Sequence, residues 1–365
     1  MIGKLTFSNS YLESIKGIDC LYLNEENHYK IGLAAGTLFT RSDYKMIKLL
    51  KNPFVKIILK IFYSKYKTRL RTIRLPQEYQ EELRGYSDAT GISYNHILLV
   101  NLIYEIRGCS GFAFLNSDGA LIVGHNTDVS KILAKFILRY AKPLISNVTI
   151  PGKNKFVHVS LPFFVGVANG FNEKGIAVSS HDAGDVYTKV IENNASAAFL
   201  IRMVLEKAQN INDVSRIAQN NFSYLPCIIL VASEQERKFS ILEVYSSDFS
   251  LTTVTNRSWI TVTNHYQSDK MRQYHKAIKK GSMDRIECLQ QVLSGKNGLS
   301  VKEAIEVLKD HRNGLRRDVT GYSVTNIGTF QSFVFNMAKR EIYISNGNKP
   351  PVSLHGDFVK ISTSL

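Results

Sequence analysis

Apolar and polar positions follow two different rhythms along this chain. Through the first hundred or so residues the spacing is helical. In "LPQEYQEELRGYSDATGISYNHILLVNLIYEI", which begins at Leu75, Pro76 stands at a helix start with glutamates in the first turns. The pattern predicts one helix ending at or just before Gly85 and a second over Tyr94–Glu105. Beyond Gly108 a period of two takes over. "GFAFLNSDGALIVGHNTD" reads as two strands joined by Asn-Ser-Asp-Gly. Further strand-like runs are "KFVHVSLPFFVGVANG", "GIAVSS", "CIILVAS", "FSILEVYSS", "WITVTN", "GTFQSFVFNM" and "REIYISNG". Helical spacing returns at "SAAFLIRMVLEKAQNINDVSRIAQ", "MDRIECLQQVL" and "SVKEAIEVLKD". Strands in blocks with helices in pairs predict α+β layers rather than strict βαβ alternation.

Composition refines this picture. With 365 residues, 44% of them hydrophobic, the chain can bury a large core. The net charge of +15 and the pI near 9.5 favour an anionic surface as partner, or a plainly solvated basic face. No nucleic-acid-binding motif accompanies that charge, so no nucleic-acid partner is expected. Between Arg41 and Arg74 there are eleven Lys or Arg and one acid, Asp43. Ile57, Ile58, Ile61 and Phe62 fall at helical spacing among them, either as a membrane-surface helix or as one with a face in the core. Apolar runs such as "VKIILKIFY" are too short and too lysine-broken to span a bilayer. The start has no run suited to a signal peptide, so a cytoplasmic location is expected, with peripheral membrane association through 41–74 as an added reading. The four cysteines, Cys20, Cys109, Cys227 and Cys288, include no C-x-x-C pair. Neither a structural metal site of that kind nor a disulfide framework is expected, and nothing calls for a cofactor.

Cys109 follows Gly108 directly before the hairpin. If Asp118-Gly119 form a two-residue turn, Cys109 pairs with Asp128; a turn centred one residue earlier pairs it with Asn126. Either register brings "GHNTD" alongside the sulfur. Taken alone, the hairpin favours the plainer reading, in which Cys109 is a small buried apolar residue.

Five segments in order change that balance. "RGCSGFAFLNSDGALIVGHNTD" resembles the start of the mature chain in N-terminal-nucleophile hydrolases of the choloylglycine hydrolase, penicillin acyltransferase and acid ceramidase group. "GFNEKGIAVSS" resembles the group's Gly-x-Asn-Glu-x-Gly segment, and "TVTNHY" its Thr-Asn-His segment. "GTFQSFVFNMAKREIYISNG" resembles the closing strand pair, and "PQEYQEELRGYSDATGIS" the propeptide helices. The likeness spans roughly residues 76–350 and fits the acyltransferase branch best. It implies a four-layer αββα sandwich over 109–365, preceded by a mainly helical, propeptide-like segment, 1–108.

The resemblance also implies chemistry. The precursor is cut between Gly108 and Cys109, and the freed α-amine of Cys109, titrating near about 7.7–8.0, serves as general base. The thiolate attacks an N-acyl amide, and water or an amine takes the acyl group from the resulting thioester. Asp128 orients the α-amine, and Asn264 donates to the oxyanion, with Asn172 as a further candidate. Asn172 also reads as an ordinary turn residue. His125 stands where other branches carry arginine, next to Asn126; His265 and Tyr266 follow Asn264 and line the pocket. The arginine expected near the cysteine is Arg285, with Arg316 and Arg317 as alternatives. Phe163-Phe164 read as acyl-chain contacts or as core. The implied partners are a small N-acyl amide, an amine or thioester co-substrate, and the chain's own cleaved halves as a heterodimer. Hydrolysis and acyl transfer both stay open. Two competing readings are an inactive lipid- or envelope-binding protein of the same fold, and a cysteine protease with a histidine base chosen from nine histidines.

Overall fold

The computed structural model describes residues 3–61, 75–103, 108–184, 186, 194–219, 223–315 and 323–365. The first nine strands are β1 (Leu5–Phe7), β2 (Ser10–Ile15), β3 (Ile18–Asn24), β4 (Gly108–Leu115), β5 (Leu121–Asp128), β6 (Leu144–Thr149), β7 (Phe156–Ser160), β8 (Asn169–Asn172) and β9 (Ile176–Asp182). The others are β10 (Asn194–Ala195), β11 (Ser223–Ser233), β12 (Lys238–Ser246), β13 (Asp248–Val254), β14 (Trp259–Val262), β15 (Thr329–Asn336), β16 (Glu341–Ser345) and β17 (Phe358–Ser362). The larger sheet runs β1-β2-β3-β6-β7-β8-β9-β11-β12-β13, with β10 beside β11; the smaller runs β14-β4-β5-β15-β16-β17.

Side-chain alternation builds the layers. In β4, Ala113 points into the core between the sheets, where Val123, Phe333 and Phe335 meet Val157, Phe171, Ile228 and Leu230. Phe112 and Phe114 point the other way. They pack under α8 (Lys280–Ser294) and α9 (Val301–Leu308) through Leu289, Leu293, Val307 and Leu308. The outer face of the larger sheet is covered by α1 (His28–Arg41), α3 (Gln77–Thr90), α4 (Tyr94–Ile103), α6 (Ala197–Lys207) and α7 (Ile211–Ala218). The order is helices, sheet, sheet, helices, the four-layer αββα sandwich expected. Two further helices, α2 (Lys45–Lys51) and α5 (Lys131–Tyr140), contact each other at the periphery.

Two local expectations are corrected. Residues 3–24 are not helical: β1–β3 form a meander, and β3 joins β6 in parallel, pairing Cys20 with Ile145. The segment before Cys109 therefore completes the larger sheet as well as its helical cover. Gly85 does not end its helix either. The helix continues to Thr90 and closes on Gly91, in the left-handed region at φ 66°. Gly85 is where α1 crosses α3: a Cβ there would lie 2.1 Å from the Tyr29 carbonyl oxygen, and one on Gly32 2.0 Å from that of Glu82. Close backbone approach outweighs the cost of glycine inside a helix, about 1 kcal/mol relative to alanine. Of the two readings open for the Phe163-Phe164 pair, the structure has core: Phe163 packs on Phe39 and Tyr86, and Phe164 is buried beside Ala198.

The basic stretch is only partly visible, since residues 62–74 lie outside the described residues. Residues 53–61 are helical, and Phe54, Ile57, Ile58 and Ile61 are exposed rather than packed in the core. Among the described residues no helix is long and apolar enough to cross a membrane.

Candidate active site

The hairpin that carries Cys109 has neither predicted register. Gly119 sits at φ 89°, and the Asn116 N–H reaches the Ala120 carbonyl at 2.9 Å. The loop is therefore the three residues Ser117, Asp118 and Gly119, the left-handed glycine closing it. That odd loop length shifts the pairing by one, so Cys109 faces Thr127, Gly108 faces Asp128 and Ser110 faces Asn126.

Cys109 is fully buried. Its backbone N–H donates to the Asn264 Oδ1 at 2.9 Å. Its carbonyl accepts from the Arg285 guanidinium, which also donates to the Ser110 Oγ at 2.8 Å and the Asn264 Oδ1 at 2.7 Å. Arg285 is held in turn by its own helix, Nε to the Gly281 carbonyl at 3.0 Å, and only 1% of it is exposed. Asn264 stands two residues past β14, the strand next to β4. Its Nδ2 donates to the Asp182 carbonyl at the end of β9, 2.8 Å away, and its N–H to the Ser282 Oγ at 2.8 Å. Ser282 also meets the Thr263 Oγ1 at 3.0 Å and the His265 Nδ1 at 2.8 Å. One turn of α8 thus supplies both Ser282, which fixes 263–265, and Arg285, which caps Cys109.

Asp128 lies on the other side. Its Oδ1 accepts from the Thr329 hydroxyl at 2.6 Å, and its Oδ2 has no hydrogen-bond partner among the described residues. Burial pushes its carboxyl up from 3.8 to about 6, although the Arg285 charge, the Thr329 hydrogen bond and the neighbouring Asn326 side chain pull the other way. Behind the strand His125 is neither exposed nor open to a ligand. Its Nδ1 meets the Ser179 Oγ at 2.7 Å and its Nε2 the Thr127 Oγ1 at 2.9 Å. Because the Thr127 hydroxyl donates to the Gln331 Oε1 at 3.0 Å, it accepts from a protonated Nε2, and Nδ1 accepts from Ser179.

The arrangement brings together Gly108, Cys109, Asp128, Asn264 and Arg285. The Asn264 Oδ1 accepts from the Cys109 N–H, and one of the two N–H donors of its amide goes to the Asp182 carbonyl. Asp128 accepts from Thr329. The remaining candidates lie in structural roles. Asn172 spends its Nδ2 on the carbonyls of Leu205 and Ala208 at the end of α6, and its Oδ1 accepts from the N–H groups of Lys174 and Ile176. With all four positions used, it closes a turn, the alternative already open from its sequence. Asn126 ties β5 to the carbonyls of Leu308 and Val324. Tyr266 is buried between the sheets with its hydroxyl on the Val244 carbonyl at 2.7 Å. His265 is buried against α8, and burial, then the charges of His275, Arg285 and Arg272, lower it to about 4. Arg316 and Arg317 lie outside the described residues. Ser282, Thr329, Asn326 and the Asp182 carbonyl had been given no role from sequence. Ser282 had a signal in its spacing, three before Arg285 at the helix start.

The family model described as acyl-coenzyme A:6-aminopenicillanic acid acyl-transferase matches residues 114–350, well over half of the chain. The chain belongs to this acyl-transferase family. The match opens five residues after Cys109 and includes Asp128, Asn264, Ser282 and Arg285. An uncharacterised Archaeoglobus fulgidus protein is 23% identical over 288 residues, covering 64% of this chain and 47% of that protein. Acid ceramidase of Rattus norvegicus is 25% identical over 202 residues, 48% of this chain and 51% of the ceramidase. The chain thus spans about half the length of these two relatives. Among solved structures, the Caenorhabditis elegans ortholog of N-acylethanolamine-hydrolyzing acid amidase is similar with a TM-score of 0.45 and 15% identity, over 70% of this chain and 100% of that one. The family and the four-layer fold agree with the resemblance to N-terminal-nucleophile hydrolases.

Proposed function

We propose that this chain is a self-processing cysteine amidohydrolase or N-acyltransferase that cleaves a C–N amide bond through a Cys109 thioester. One observation carries this reading: the backbone N–H and C=O of a buried cysteine are each held by a side chain far off in sequence, Asn264 and Arg285. An inert core cysteine needs no such fittings. Two sequence relatives, acid ceramidase and N-acylethanolamine-hydrolyzing acid amidase, carry names that agree with amide chemistry.

The first step is internal. The Cys109 thiolate attacks the Gly108 carbonyl carbon, the Gly108–Cys109 C–N bond breaks, and the nitrogen gains a proton as an α-amine. Water then hydrolyses the Gly108 thioester, freeing the thiol. This divides the chain into 1–108 and 109–365. In the mature form the α-amine takes the thiol proton, the thiolate attacks the substrate amide, and the leaving amine departs with that proton. Asn264 orients the α-amine, and Arg285 places positive charge beside the tetrahedral intermediate. Water or a second amine then releases the acyl group.

Processing divides the 41.2 kDa chain in the ratio of 108 to 257 residues, giving bands of about 12 and 29 kDa. Cys109→Ala is expected to leave one intact chain and no amide turnover. A Cys109→Ala protein that still divides at Gly108, or an active wild type with an intact Gly108–Cys109 bond by mass spectrometry, would overturn the reading.

A specific observation supports peripheral lipid contact in addition. Ile132 and Phe136 are 84% and 44% exposed on one face of α5, among Lys131, Lys135 and Arg139. A basic cleft lined by Lys45, Lys135, Arg139, Lys349 and His355 lies alongside. Intact Cys109→Ala protein is expected to co-sediment with anionic vesicles, and Ile132→Ser/Phe136→Ser to abolish that; unchanged sedimentation of the double variant would remove the proposal.

A further inference from the structure

A second buried polar cluster lies in the helical layer over the larger sheet, built by the same close crossing that needs Gly32 and Gly85. It brings His28, the first residue of α1, against Glu78 and Glu82 of α3, with Arg202 and Glu206 of α6 completing the enclosure. Arg202 grips Glu82 through both carboxylate oxygens at 2.8 and 2.6 Å, and its Nε donates to the Glu206 Oε1 at 2.8 Å. The Tyr79 hydroxyl donates to the Glu206 Oε2 at 3.0 Å. Lys153 enters from the rim, 2.7 Å from the Glu78 Oε2 and 3.7 Å from the Glu206 Oε2.

The anomaly is His28. Its Nδ1 lies 2.9 Å from the Glu82 Oε2, and a carboxylate in an ion pair with arginine can only accept. Nδ1 therefore carries the proton, and the longer 3.3 Å approach of the Arg202 guanidinium to the same nitrogen is secondary. That leaves Nε2 as a lone pair in the neutral ring. Nε2 is buried, has no hydrogen-bond partner, and faces the Glu78 Oε2 at 3.8 Å and the Glu206 Oε1 at 3.7 Å. Two anionic oxygens facing that nitrogen call for a cation there, either a proton on Nε2 or a metal ion between them. A carboxylate behind the far nitrogen of an imidazole is also the usual support of a metal-bound histidine, fixing its tautomer and raising its basicity.

We propose that His28 Nε2, Glu78 and Glu206 form a divalent metal site of the zinc class. The three ligand atoms lie within 4.8 Å of one another. Zinc bonds of about 2.0–2.2 Å in a tetrahedral site need ligands roughly 3.3–3.6 Å apart; the His28–carboxylate separations of 3.8 and 3.7 Å must close by a few tenths of an ångström, and the widest separation by at most about 1.5 Å. One imidazole with two carboxylates is a borderline-to-hard donor set that suits Zn²⁺. Three carboxylates face three cations, Arg202, Lys153 and Lys207, the last 3.7 Å from the Glu78 Oε1. Lys153 and Lys207 reach solvent where Arg202 does not, and displacing both leaves the two negative charges a divalent ion matches. The site would staple the helices that precede Cys109 to α6, which follows it, whether or not the chain is cut.

The test uses the full chain, stripped with EDTA and re-equilibrated with Zn²⁺ alone. Desalting and elemental analysis are expected to find one zinc per wild-type chain and none in His28→Gln. Glu82→Gln, which removes the support behind the imidazole, is expected to weaken zinc binding by about 10–100-fold. Lys153→Met is expected to strengthen it by about tenfold or more, as a competing charge is removed. Should His28→Gln fold poorly, Co²⁺ added to wild type provides an independent readout, the visible d–d bands of a four-coordinate site. Wild type that retains no zinc, zinc that stays equally on His28→Gln, weaker binding in Lys153→Met, or a Co²⁺ spectrum without those bands would each overturn the site.

Discussion

Replacing Asp128 with asparagine separates the chemistry of the site from its stability. The carboxyl is fully buried, one oxygen unpartnered, and burial lifts its pKa from 3.8 to about 6 against the opposing pull of the Arg285 charge, the Thr329 hydrogen bond and the neighbouring Asn326 side chain. The folded chain therefore holds this proton more tightly than the unfolded chain. Below pH 3.8 both states are protonated and Asp128 carries no penalty. As pH climbs from 3.8 to 6 the unfolded carboxyl ionises freely while the folded one resists, so stability falls; above 6 the deficit is constant. A shift of about two pH units at 1.36 kcal/mol each amounts to roughly 2–3 kcal/mol. Asparagine is neutral throughout, and its carbonyl oxygen can accept the Thr329 hydroxyl. Made in a Cys109→Ala background so that both chains stay whole, Asp128→Asn should lose little at pH 3.8. It should gain roughly 2–3 kcal/mol relative to the parent by pH 7. Urea unfolding followed by circular dichroism across that range measures the difference, and other titrating groups cancel because both proteins share them. A difference that does not change with pH, or one that moves against the asparagine as pH rises, would refute the reasoning. In the Cys109 parent the same substitution should stop processing while stabilising the fold at neutral pH.

Two more outcomes follow from the geometry. Arg285→Lys keeps the charge but cannot reach the Cys109 carbonyl, Ser110 and Asn264 together; processing and turnover should each fall by about 10²–10³-fold, measured as the rate of appearance of the two fragments and as product formed from N-acyl amides. Asn172→Ala should cost roughly 3–5 kcal/mol, because two carbonyls and two N–H groups lose their partner, while folded protein divides at Gly108 at the wild-type rate; an unaltered melting temperature with a hundredfold slower division would return Asn172 to the catalytic set.

Much of the site was legible because its parts are strand ends. Gly108-Cys109 starts β4, Asn126-Thr127-Asp128 ends β5, and Asn264 follows β14, so motifs far apart in the chain are neighbours across a single sheet. Arg285 could be ranked ahead of other arginines because "GSMDRIECLQQVL" opens a helix, which points residues three apart at one target. What escaped was whatever depends on one residue more or less. The loop after Leu115 has three residues rather than two, and this alone moved Cys109 from the expected Asp128 or Asn126 onto Thr127. The meander at the N-terminus escaped for another reason. "SYLESI" and "IDCLYLN" are short, lie ahead of a strongly helical stretch, and gain their stability from β6, more than a hundred residues downstream, a pairing no local window contains. The hydrogen-bond partners of Asn264 and Asp128 were similarly out of reach, since an asparagine offers donor and acceptor alike and only its neighbours decide how each is used.

Those neighbours also explain why the site spans both sheets. Asn264 is held by Ser282 from the outer helical layer and by the Asp182 carbonyl from the end of β9 in the opposite sheet. Its Oδ1 is shared by the Cys109 nitrogen and Arg285. The oxygen that accepts the Cys109 N–H is thus fixed by contacts on three sides, and its position depends on how the two sheets stack. Side chains that fill the gap between them, such as His125 against Ser179 and Phe333, set that spacing without touching the sulfur. The consequence is that substitutions there, at residues that look like core, should act on the chemistry through Asn264. They should shift the rate of division at Gly108 more than a stability loss of the same size made elsewhere in the core.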